Sequence, residues 1–161
     1  MKFKSTPVRG IGSTSILMAM ADYLPALRDR ALLLLGYAGA FRRSELVALD
    51  VADLRFSSKG VFLWIGAAKN DPQKKGRELY VPRLPGSELC AVMALGRWLG
   101  TVGAEGAVFR TFDLCGEMTA NRLDPGDVAR IVRRRAAAAG FAGDFAGHSL
   151  RRGFITNAAK K

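Results

Sequence analysis

Eleven consecutive uncharged residues, Ala31-Leu-Leu-Leu-Leu-Gly-Tyr-Ala-Gly-Ala-Phe41, run between Arg30 and Arg42. The run is about half as long as the ~20 apolar residues that cross a bilayer, so it leaves water by burial inside protein. The sequence predicts a helix over Asp29 to Ala40, apolar on nearly every face. Such a helix cannot lie at a surface, and the rest of the chain has to wrap it. With 161 residues, 49% of them apolar, there is material for one compact domain and not for two.

The surrounding segments read as further helices and one small sheet. Ser13 or Ser15 is expected to cap a first helix through about Leu24, ended near Pro25. The small residues Gly39 and Ala40 permit a bend into a short helix over about Arg43 to Leu49, with Ser44 and Glu45 offering acceptors in its first turn. Leu54–Phe56, Val61–Ala67 and Glu78–Pro82 are rich in β-branched and aromatic residues between polar turns, which predicts a three-stranded antiparallel sheet. Ser87 to Leu99 carries Leu89, Val92, Leu95 and Leu99 at helical spacing, ended by Gly100 and Gly103. Asp124, a good N-cap ahead of Pro125, opens a helix to Gly140 with Val128, Ile131 and Val132 inward. A last helix from near His148 aligns Leu150, Phe154 and Ala158 in one stripe, with His148, Arg151 and Arg152 beside it. Trp64 and Trp98 are assigned to the core. The fold class is therefore α+β, mainly helical, with residues 1–12 as a flexible lead-in or linker.

A net charge of +11 and a pI near 10.4 point to a polyanionic partner, because lysines and arginines facing phosphates displace condensed counterions. The excess is uneven. Residues 118–161 hold nine basic and three acidic side chains, whereas 61–117 hold seven and six, so the last third is the expected electropositive face. The run Arg133-Arg-Arg135 reads either as a solvated helix face or as a phosphate contact. Cys90 and Cys115 lack metal-ligand spacing and read as reduced thiols, as expected of a cytoplasmic protein. Met1-Lys-Phe-Lys-Ser5 is basic, but Pro7, Gly10 and Gly12 interrupt it before a leader-length apolar run can begin.

Two cationic clusters carry the chemistry: Phe41-Arg-Arg-Ser-Glu-Leu46 and His148-Ser-Leu-Arg-Arg152, with residues 47–147 between them. Only a folded core brings such clusters together, so they define a site and not a basic tail. Guanidinium is always charged and offers a planar fork of donors to two oxygens at once, which suits a phosphate gathering charge. The loop Lys69-Asn-Asp-Pro-Gln-Lys-Lys-Gly-Arg77 adds four basic side chains between two predicted strands. Taken singly, Arg42 also has a plain explanation, an i,i+3 pair with Glu45.

Ala40-Phe-Arg-Arg-Ser-Glu-Leu46 resembles the first arginine box of the tyrosine recombinases, the phage integrase family, and His148-Ser-Leu-Arg-Arg152 resembles the second. The resemblance runs from about Asp29 to the end of the chain. It implies a recombinase catalytic domain over residues 13–161 that cleaves and rejoins DNA through a 3′-phosphotyrosine, with no metal or nucleotide cofactor. Arg42 matches the first arginine, Glu45 its acidic neighbour, Lys69 the hairpin lysine, and His148 and Arg151 the histidine and second arginine. In that scheme Arg42 and Arg151 stabilise the five-coordinate phosphorus transition state. Lys69 protonates the departing 5′ oxygen, His148 assists proton transfer or binds a phosphate oxygen, and Glu45 orients an arginine or partners the histidine. Arg43, Lys74, Lys75, Arg77, Arg133, Arg134 and Arg152 are the expected contacts to double-stranded DNA.

Arg152 stands where the family often has a histidine. The nucleophilic tyrosine follows the second box in the family, and none of Tyr23, Tyr37 and Tyr80 matches it. The expectation is an incomplete catalytic domain, without the family's N-terminal DNA-clamping domain, that binds DNA and does not cleave it alone. The alternative is a non-enzymatic DNA-binding remnant. The resemblance further implies a tetrameric parent enzyme on DNA; without the tail that supplies subunit contacts, a monomer is the expectation for these residues.

Overall fold

In the computed structural model, residues 23–66 and 76–141 are described. The expected lead-in and first helix, residues 67–75 with most of the expected Lys69–Arg77 loop, and the expected last helix lie outside them.

Helix α1 (Leu24–Ala38) is the buried apolar helix. It begins earlier than the apolar run, and Pro25 sits in its first turn instead of terminating a preceding helix. A proline there loses nothing, because the first N–H groups of a helix have no intrahelical acceptor. Ala31, Leu32 and Leu35 are fully buried. Gly39 and Ala40 turn the chain, Ala40 in the left-handed region at φ 49°. A Cβ at Gly39 would stand 2.3 Å from the Phe41 ring and 2.8 Å from Leu79, so glycine lets Phe41 fold back into the core and present the next residue, Arg42.

Helix α2 (Arg43–Ala48) follows, and a short 3-10 turn over Val51–Asp53 leads into the sheet. Strands β1 (Leu54–Phe56), β2 (Gly60–Ile65) and β3 (Arg77–Pro82) form the expected antiparallel sheet in the order β1-β2-β3. In this register Phe62 pairs with Tyr80, and Trp64 with Glu78. Val61, Leu63, Ile65 and Val81 point inward. Phe62, Trp64 and Tyr80 therefore share the opposite face by strand alternation, which corrects the assignment of Trp64 to the core: it is exposed.

Helix α3 (Ala91–Val102) packs on α1. It starts and ends a turn later than expected, because Gly100 continues the helix and Gly103, at φ 92°, closes it. Trp98 is fully buried, and its indole N–H donates to the Val108 carbonyl at 2.7 Å.

Strands β4 (Arg110–Phe112) and β5 (Met118–Arg122) form a second antiparallel pair that the sequence reading did not anticipate. Its turn is held by the Asp113 carboxylate, which accepts from the backbone N–H groups of Cys115 and Glu117 at 2.9 Å each. Helix α4 (Pro125–Ala138) opens as read: the Asp124 carboxylate accepts from Gly126 at 2.6 Å and Asp127 at 2.9 Å. Val128, Ile131 and Val132 are buried, and α4 packs against α2. No helix among the described residues is long and apolar enough to cross a membrane.

Candidate nucleic-acid interface

Arg42 stands at the N-cap of α2 with extended backbone. Its guanidinium is 57% exposed, while the Glu45 carboxylate one turn on is only 7% exposed. One Glu45 oxygen accepts from the Arg42 backbone N–H at 2.8 Å. The other accepts from Arg42 Nη1 at 3.1 Å and from Arg77 Nη2 at 3.3 Å. Glu45 thus fixes the turn before α2 and aims two cations from distant parts of the chain.

Arg77 is the first residue of β3 and pairs with Ile65, the last of β2. The ion pair to Glu45 therefore brings the root of the β2-β3 hairpin beside Arg42, with Arg77 itself 51% exposed. Gly76 at that root has φ 61°, and a Cβ there would meet the Ile65 carbonyl at 2.8 Å. Glycine is required by backbone conformation and by space together.

One further arginine braces this arrangement. The Arg122 guanidinium, from β5, donates to the Val47 and Leu49 carbonyls at 2.7 and 3.2 Å and pairs with Asp50 at 2.5 Å. It satisfies carbonyls at the end of α2, where a cation is also favoured by the helix dipole. Sequence reasoning missed Arg122 because it missed the hairpin that carries it. Arg43 is half-buried and makes no side-chain hydrogen bond or ion pair among the described residues.

The other predicted contacts lie apart from this cluster or outside the described residues. Arg133 is exposed and bonds weakly to the Ala129 carbonyl at 3.4 Å. Arg134 is engaged elsewhere: its Nη2 donates to Asp29 at 2.9 Å. Asp29, fully buried on α1, also accepts from Arg28 Nη2 at 2.7 Å and Arg135 Nε at 2.8 Å. Arg28 lies 4.9 Å from the centre of the Phe112 ring, and Arg135 lies 5.9 Å from that of Tyr23. Burial works against the charge on Arg135, but Asp29 and Tyr23 more than offset it and its pKa is raised. Lys69, Lys74, Lys75, His148, Arg151 and Arg152 fall outside the described residues.

Chemically, Arg42 and Arg77 share one buried counter-charge and keep outward-facing N–H donors. Two half-exposed guanidiniums on a single carboxylate can offer donors to an oxyanion such as a phosphate.

An architecture of this kind occurs in known proteins. An integrase/recombinase xerD homolog from Selenomonas ruminantium is 43% identical over 141 residues, covering 86% of this chain and 41% of that protein. Among solved structures, XerA recombinase superposes with a TM-score of 0.71 at 19% identity, over 99% of this chain and 52% of the other. XerH recombinase, bound to a palindromic difH substrate in a post-cleavage complex, gives 0.70 at 17% identity, over 96% and 42%. A λ integrase tetramer bound to a Holliday junction gives 0.63 at 17% identity, over 100% and 44%. At these identities the structural likenesses establish the fold, and the chain spans about two-fifths of the length of its curated relative. Residues 14–161 match the phage integrase family along nearly the whole chain, and with the helical fold and its small sheet this places the chain in that family.

Proposed function

We propose that this chain is a catalytic region of a site-specific DNA recombinase, and that Arg42 and Arg77 meet the backbone of duplex DNA at or next to the scissile phosphate. The reading rests chiefly on one observation: the buried Glu45 carboxylate holds both half-exposed guanidiniums with donors left over. Arg42 stabilises charge on the non-bridging oxygens, and Glu45 positions it. Lys69, carried by the hairpin whose root Arg77 anchors, protonates the leaving 5′ oxygen; His148 and Arg151 complete the set from the second box. Arg43, Lys74, Lys75, Arg133, Arg134 and Arg152 add backbone contacts, with Arg134 required to loosen its hold on Asp29 to do so.

Strand cleavage in this scheme forms a 3′-phosphotyrosine, and the three tyrosines present have other places. Tyr23 lies against Arg135, Tyr37 lies within α1, and Tyr80 meets Phe62 in a tilted ring contact with centres 4.8 Å apart. The 161 residues alone are therefore proposed to bind duplex DNA and leave it intact.

Duplex binding followed over a salt series tests the first part. Wild-type affinity should fall steeply with salt, and Arg42→Ala should lower the magnitude of that slope by about one unit. An unchanged slope removes Arg42 from the phosphate contact. For the chemistry, a chain extended to include the family tyrosine should lose cleavage on Arg151→Ala while keeping duplex affinity within a few-fold. Lys69→Ala should be largely rescued by a 5′-thio leaving group, and equal loss on both substrates denies Lys69 the acid role.

A further inference from the structure

Beyond the far end of β3 lies a cleft of different chemistry. Arg77 starts that strand and Arg83 follows its end, ~20 Å further along an extended chain. There the segment Arg83–Glu88 and the start of α3 enclose a cleft of about 330 Å³, lined by Arg30, Arg83 and Arg97 together with Leu84, Met93 and Cys90. That volume is within the range of ligand pockets.

The charges in the cleft are out of balance. Three arginines face one glutamate, Glu88, which pairs with Arg30 at 3.3 Å. Arg97 is exposed and has no ion pair or hydrogen bond among the described residues. Among the described residues, Arg83 Nε is buried without an acceptor, and the one bond its guanidinium makes runs from Nη1 to the Met93 thioether at 3.3 Å. A thioether is a weak acceptor, so a partly buried cation is left without a proper partner. The first turn of α3 strengthens the demand: it holds no acidic residue and Cys90 gives it no side-chain cap. Its free N–H groups add positive potential at the same place.

The rim is apolar. Leu84 and Met93 are both exposed, and Pro85 lies between Leu84 and the turn at Gly86. Apolar side chains add nothing to a contact with a phosphate backbone, which is hydrophilic and extended. They suit a peptide in which a carboxylate enters among the arginines and a neighbouring aliphatic residue covers Leu84 and Met93. Residues 1–22, 67–75 and 142–161 offer no such segment, because they contain as acids only the isolated Asp22, Asp71 and Asp144.

We infer that the Arg30/Arg83/Arg97 cleft is a docking site for an acidic, leucine-bearing segment of another protein. The carboxylate reaches Arg83 Nε and Arg97, and the leucine lies on Leu84 and Met93. The site is separate from the Arg42 cluster and stands whether or not that cluster contacts DNA.

The test uses the full 161-residue chain and a fluorescein-labelled octapeptide of alternating glutamate and leucine, with its glutamine counterpart as control, read by anisotropy. The glutamate peptide should bind saturably and about tenfold tighter than the glutamine peptide. Arg97→Glu and Leu84→Ser, both at exposed positions, should each weaken it about fivefold or more with an unchanged far-UV circular dichroism spectrum. Arg42→Ala should leave it unaltered. The inference is overturned if the two peptides bind alike, if inorganic phosphate at the same carboxylate-equivalent concentration displaces the peptide fully, or if Arg42→Ala abolishes binding, which would move the anion to the other cluster.

Discussion

Asp29 on α1 and Glu45 on α2 are both buried carboxylates that gather arginines from distant parts of the chain. Around Asp29 the arginines are themselves largely enclosed: Arg28 and Arg135 are buried or nearly so, and only Arg134 reaches solvent. Around Glu45 the anion is buried and both cations are half exposed. Removing a charge from water is costly, and a carboxylate encircled by guanidiniums recovers that cost through short bonds to all of them. At Asp29 the exchange is complete and the result is a clamp joining α1 to α4. At Glu45 it stops halfway, leaving donors directed outward. Which partner is exposed, and not how many arginines are present, distinguishes a cluster that holds the fold from one that can take a ligand.

The comparison is sharpened first by Asp29→Ala. Three guanidiniums would be left around an empty position, two of them enclosed, and urea denaturation should show a loss of about 3–5 kcal/mol. A loss below about 1 kcal/mol would mean that the cluster is ornamental. Glu45→Ala should cost less, about 1–2 kcal/mol, since Arg42 and Arg77 can turn to water and the main loss is the bond to the Arg42 backbone N–H. Glu45→Gln, which can still accept that bond, should recover most of the stability, and a Gln variant as unstable as the Ala variant would show that the charge itself holds the turn. Arg42→Ala should shift stability by no more than about 0.5 kcal/mol. A larger shift would make Arg42 a structural residue like Arg28.

An effect of similarly small size is expected at Asp127, a partly exposed control for both clusters. Burial raises its pKa, but the hydrogen bond from the Asp124 backbone and the charge of Arg130 prevail, and the carboxyl is held below its usual value of 3.8. A depressed pKa means that ionised Asp127 favours the folded state above the unfolded pKa, and that this contribution disappears as pH falls through the folded one. Asp127→Asn should therefore cost about 0.5–1 kcal/mol near neutral pH. The difference between variant and wild type should close below about pH 3.8. A gap that persists at lower pH would assign the effect to packing.

Much of the fold could be read locally. The buried helix, the short helix after the bend, the three-stranded sheet and the Asp124-Pro125 helix start are all set by nearby residues. Pro25 misled because a proline in a first turn and a proline just past a last turn look alike without knowing where the buried face lies. The β4-β5 pair was missed because Arg-Thr-Phe and Met-Thr-Ala-Asn-Arg show little alternation, and their pairing depends on the Asp113 turn and on Thr111–Thr119 contact at 2.6 Å. Trp64 was legible in principle: if Val61, Leu63 and Ile65 point inward, Trp64 cannot. At the site, the spacing of Arg42 and Glu45 revealed their pairing, but nothing in the sequence ties Glu45 to Arg77, thirty-two residues on. Arg134 shows the reverse failure, because its engagement by Asp29 spans one hundred and five residues.

The double use of Glu45 has one more implication. Since a single side chain both closes the turn before α2 and steers the guanidinium of Arg42, a chain that mis-shapes this corner also misdirects its charge. Corner and cation are thus coupled: no long-lived state should exist in which the turn is unmade and the Arg42 guanidinium is still aligned.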